Sequence, residues 1–107
     1  MTTRIAKLSD IASEAHTRIQ KNFREIDPII GVNRRLRDKG FPVDTMTIDC
    51  LKTRRRIIIL LNDQTPSVAN FQFAYIDHDP SMQFSEIPFK NLTAEQVYDW
   101  IKSYFSK

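Results

Sequence analysis

The chain holds two glycines in 107 residues, a single cysteine, and no apolar run longer than five residues. So few glycines argue against a Gly-rich phosphate loop and against a fold built mostly from tight primed hairpins, both of which need residues at positive φ. With Cys50 alone, no intramolecular disulfide can form, and the scaffold of a small disulfide-stapled secreted domain is excluded. The longest apolar run, Ile57–Leu61, is far too short to cross a bilayer. Met1–Lys7 lacks the long apolar core of a signal peptide, so a cytoplasmic location and no membrane contact are expected. His16 and His78 are the only histidines, too few beside one thiol to assemble a zinc tetrad. No cofactor motif is present.

What remains is an ordinary globular composition, 41% hydrophobic and 27% charged, which argues against disorder. Residues 1–107 read as one domain, long enough to bury a single core. The net charge of +3 is unevenly spread. Residues 1–56 hold thirteen Lys/Arg against seven Asp/Glu, and residues 57–107 hold three against six, so the halves carry +6 and −3. Such asymmetry suits an acidic partner for the first half, a head-to-tail pairing of two copies, or pairing between the halves of one chain.

Apolar residues at Ile5, Leu8, Ala12, Ala15, Ile19, Phe23 and Ile26 recur in steps of three and four, which predicts a helix over 4–26 capped by Thr2 or Thr3. Asp27-Pro28 then reads as the start of a second helix, with Ile29, Val32 and Leu36 inward and Gly40 as its stop. Four strands are expected to follow. Thr45–Leu51 alternates, and Arg55–Leu61 is apolar at both parities, as in a central strand covered on both faces. Val68–Asp77 puts Phe71, Phe73 and Tyr75 on one face, and Met82–Phe89 has a phase slip suited to an edge bulge. Thr93, Gln96, Leu92 and Val97 supply a capping box and hydrophobic staple for a last helix. The expected fold is therefore α+β: two N-terminal helices, a four-stranded antiparallel meander, and a C-terminal helix packed on the sheet. If the helices cover only one sheet face, a homodimer is expected to bury the remaining face or edge.

The residues richest in chemistry are basic. Arg34, Arg35, Arg37 and Lys39 lie near the end of the second predicted helix, and Lys52, Arg54, Arg55 and Arg56 at the first strand turn. The two groups merge into one patch if that helix points toward that turn. Guanidinium groups pair bidentately with carboxylate or phosphate, so the patch would hold an acidic protein or a nucleic-acid backbone. No helix-turn-helix, zinc-finger or ribonucleoprotein pattern accompanies it, and most of the aromatic residues fall where periodicity places a core. Asp77-His78-Asp79 is expected to be turn chemistry rather than a metal site, because neighbouring side chains on an extended segment diverge. Cys50 falls mid-strand with Met46 and Ile48, where an inert buried thiol is expected. Asp49 is expected to pair with Arg55 or Arg56 across the hairpin. No catalytic constellation emerges. The expected function is a non-enzymatic interaction module binding an acidic protein partner through the eight basic residues, with nucleic-acid binding through the same patch as the alternative.

Overall fold

The computed structural model describes residues 3–106. Helix α1 spans Arg4–Asn22, and strand β1 spans Ile29–Asn33. A single turn of helix, α2, covers Arg35–Asp38. Strands β2 (Val43–Cys50), β3 (Arg55–Asn62), β4 (Val68–Tyr75) and β5 (Ser85–Pro88) follow. A 3-10 turn at Phe89–Asn91 leads into helix α3, Ala94–Phe105. All five strands are antiparallel neighbours in sequence order, β1 and β5 forming the edges.

The α+β class and the meander are as expected, but the count of elements differs. The predicted second helix is a strand plus one helical turn, giving five strands rather than four. Ile29, Ile30 and Val32 are β-branched and stiff at χ1, and Gly31 in a helix interior would cost about 1 kcal/mol. Pairing with β2 from Ile29↔Asp49 to Asn33↔Thr45 satisfies the backbone instead. Helix α1 also stops short, at Asn22, where the Phe23 N–H closes on the Ile19 carbonyl at 2.7 Å. Ile26 remains buried beyond it, so apolar spacing persisted past the helix end. Of the two threonines expected at its start, Thr3 is the cap, its hydroxyl accepting from the Ala6 N–H at 3.2 Å; Thr2 lies outside the described residues.

Both long helices pack on one face of the sheet. The core joins Leu8, Ala12, Ala15 and Ile19 of α1 to Val97, Trp100, Ile101 and Phe105 of α3. Beneath them lie Met46, Ile48 and Cys50 of β2, Ile57, Ile59 and Leu61 of β3, and Ala69 of β4, all of one strand parity. Phe71 stacks on Trp100 with centroids 4.4 Å apart. The central strand is thus covered by helices on one face only. On the open face Ile58 sits between Thr47 and Gln72 and is hidden mainly by such neighbours, at 7% exposure. The Gln72 amide donates to the carbonyls of Ser81 and Gln83 and accepts from the Ser81 N–H, tying the loop after β4 against that strand. No helix among the described residues is long and apolar enough to cross a membrane.

The β2–β3 connection explains how a turn forms without Gly or Asn. Arg54 takes the left-handed conformation, φ 59°, while its guanidinium grips both oxygens of Asp77 at 3.0 and 2.7 Å. An L-residue with a Cβ is strained in that backbone region. Arg54→Gly and Arg54→Ala both delete the ion pair, so their difference reports the backbone alone. Arg54→Gly is expected to be the more stable of the two by about 1 kcal/mol, measured by urea unfolding. Equal stabilities would show that the turn is not held left-handed in solution.

Candidate interaction surfaces

The register separates the two basic clusters. Asn33 pairs with Thr45 at the start of β2, so Arg34, Arg35, Arg37 and Lys39 sit at that end of the sheet. Lys52 and Arg54–Arg56 sit at the other end, where Cys50 meets Arg55. Eight residues of β2 intervene, about 25 Å of extended chain. The two groups do not form one patch.

Most of these arginines are also engaged within the chain. Asp44 is buried, 6% exposed, and accepts from Arg34 Nε at 3.1 Å and from Arg37 Nε at 2.8 Å. Arg37 reaches on to Asp63, at 2.9 and 3.2 Å, and Arg4 lies 3.6 Å from that same carboxylate. Arg4 additionally donates to the carbonyls of Asn62, Pro66 and Val68, locking α1 to the β3–β4 loop. Burial pushes the Asp44 carboxyl up, but the hydrogen bonds from Arg37 and Arg34 outweigh it and hold the group below its ordinary value. Hydrogen bonding from Arg37 likewise lowers Asp63, and Arg54 lowers Asp77.

At the far end Arg56 meets Asp49 bidentately at 2.7 and 2.9 Å on the open sheet face, the cross-hairpin pair expected from the sequence. Arg55 points to the other face, donating to the Tyr104 carbonyl at 2.6 Å, with its guanidinium 5.2 Å from the Tyr104 ring centre. A cation there complements the C-terminal end of α3. Of the eight basic residues, Arg35, Lys39, Lys52 and Arg55 make no ion pair among the described residues. Asp77 holds Arg54, and the neighbouring His78 ring lies edge-on to Tyr75 at 5.7 Å. Cys50 is buried in the core, 4% exposed.

A wide concavity lies elsewhere, and nothing in the sequence pattern announced it. Strand β5 ends at Pro88, and the chain climbs through the 3-10 turn to Thr93, whose hydroxyl accepts the Gln96 N–H and starts α3. This climb leaves a groove of about 970 Å³ between the first turns of α1, the loop before β4 and the start of α3. Its floor and walls include Ile11, Val68, Phe89 and Leu92, with Lys7 and Lys90 beside them and no carboxylate among the described residues of the lining. Neither lysine makes an ion pair among the described residues. Lys7 and Lys90 are 83 positions apart, so only the packing of α1 beside β5 and α3 makes them neighbours. The N-termini of both long helices lie at this end of the sheet, and their dipoles add partial positive charge. Compared with protein-family models, curated proteins and solved structures, the chain finds no match.

Proposed function

We propose that the chain is a small cytoplasmic interaction module that acts by binding an acidic protein segment, and that the groove beside Lys7 and Lys90 is where the segment docks. One observation carries the reading. The groove is apolar, is flanked by two ammonium groups, and has no carboxylate among the described residues of its lining to neutralise them. A segment with alternating apolar and acidic side chains matches it, placing the apolar ones against Ile11, Phe89 and Leu92 and the acidic ones on the lysines. The arginines first expected to form the contact contribute less direct pairing, because Arg34, Arg37, Arg54 and Arg56 already hold carboxylates of their own chain. They contribute to the field that steers an acidic partner.

The reading is tested by NMR titration of the labelled chain with three probes: a Glu/Leu peptide, a Lys/Leu peptide and a single-stranded oligonucleotide. Shift changes at Ile11, Phe89, Leu92 and Ala94 are expected with the Glu/Leu peptide only. Lys7→Glu/Lys90→Glu is expected to weaken that binding at least about tenfold, and added salt to weaken it as well. Groove shifts with the Lys/Leu peptide, or a Glu/Leu affinity unchanged by the double reversal, would refute the assignment. Oligonucleotide shifts centred on Arg35, Lys39 or Lys52 would replace it with nucleic-acid binding.

A further inference from the structure

The two edges of the sheet are built differently. Strand β5 is four residues long, carries Glu86 within it and ends on Pro88, which are devices that discourage pairing with another chain. Strand β1, five residues long, lacks the charge and the proline. Ile29-Ile30-Gly31-Val32-Asn33 contains no charge and no proline, and it pairs with β2 through five consecutive residues without a bulge. Its other side meets no strand among the described residues. Ile29 is 49% and Val32 47% exposed. An apolar, regular, unprotected edge is a template for strand addition.

We infer that the occupant of this edge is a second copy of the chain, added antiparallel about a two-fold axis through Gly31 to make one continuous ten-stranded sheet. Self-complementarity favours this occupant over another strand. Antiparallel pairing centred on Gly31 sets Ile30 opposite Val32 of the second copy, and the two-fold repeats the contact. Four β-branched side chains then meet on the face that carries the helices, because direct partners share a face. Ile29 lies opposite Asn33 on the other face, and glycine meets glycine at the axis, where backbones approach without side chains between them. The ladder ends at Asn33, because Arg34 and Arg35 leave the extended conformation to begin α2. The groove beside Lys7 and Lys90 takes no part, so this dimer stands or falls independently of what that groove binds.

The axis position provides a direct test. A Cβ at Gly31 would meet only Thr47 Oγ1, at an ordinary 3.5 Å, so Gly31→Cys is compatible with the folded protomer. Opposite residues of an antiparallel pair have Cα atoms about 4.5–5.5 Å apart, within disulfide range. Under mild oxidation Gly31→Cys is expected to convert most of the chain to a covalent dimer linked through residue 31. Val32→Lys, at a position half-exposed in the protomer, brings like charges near the axis and is expected to raise the dimer dissociation constant at least about tenfold in sedimentation velocity. Circular dichroism checks that both variants remain folded. A native chain that sediments as a monomer at about 100 µM would overturn the inference. So would a dimer indifferent to Val32→Lys, or a folded Gly31→Cys chain that does not cross-link.

Discussion

Replacing Trp100 with alanine is expected to destabilise the fold by about 3–5 kcal/mol. Trp100 is 8% exposed and lies where α3 crosses β4, stacked on Phe71 at 4.4 Å and edge-on to Phe73 at 6.0 Å. Truncation removes the largest side chain of that layer and leaves a void that neither Phe71 nor Ile101 can fill without shifting the helix. The aromatic geometry adds to the transfer term, since stacked and edge-to-face pairs contribute about 0.5–1.5 kcal/mol beyond buried area. Trp100→Phe keeps a ring in the stack and is expected to be clearly less damaging than Trp100→Ala. Urea midpoints followed by far-ultraviolet circular dichroism measure both. A loss under about 1 kcal/mol for Trp100→Ala would mean that α3 is not docked on β4 as described.

The second large effect concerns Asp44. Arg34→Ala/Arg37→Ala leaves this buried carboxylate without the two guanidinium groups that compensate its burial. At neutral pH the double variant is expected to melt about 10 °C or more below the native chain. Its pH dependence is expected to change sign at this site. In the native chain Asp44 titrates below its ordinary value of 3.8, so its stabilising contribution is present above that pH. The contribution is lost as pH falls through the lowered native value. Without the arginines only burial acts, which raises the carboxyl, so protonation favours the folded variant. The gap in melting temperature between native and variant chains is therefore widest at neutral pH and narrows in acid. Adding Asp44→Asn to the double variant is expected to restore much of the neutral-pH stability by removing the buried charge. A triple variant no more stable than the double at neutral pH would show that lost packing, not the stranded carboxylate, causes the damage.

These two sites were legible in the sequence to different degrees. Trp100 flanks a clean helical stripe after a recognisable cap, and the alternation of Phe71, Phe73 and Tyr75 pointed to the surface it packs on. Asp44 stands just before Thr45, where the first strand was expected to begin, and no sequence pattern marked it. Its role arises because α2 is one turn long and returns Arg34 and Arg37 over the start of β2. The β1 edge could have been found from Gly31 among β-branched neighbours, but Asp27-Pro28 and Gly40 read as helix punctuation and prevailed. The groove lysines carried no sequence signal.

Local patterning alone determined the α+β class, the N-terminal caps of α1 and α3 to within a residue, the central hairpin with Asp49 paired to one of Arg55 and Arg56, and the burial of Cys50. Those features depend on period, caps and direct cross-strand neighbours, which act over a few residues or one short turn. Only the tertiary structure decided that both helices share one face, that the basic clusters lie at opposite ends, and that β1 is an unprotected edge. It also decided that Lys7 and Lys90 flank one groove. These depend on how distant segments pack and on which strand the chain leaves outermost. Hydrophobic burial is non-directional, so an apolar stripe specifies that it will be covered without specifying by what.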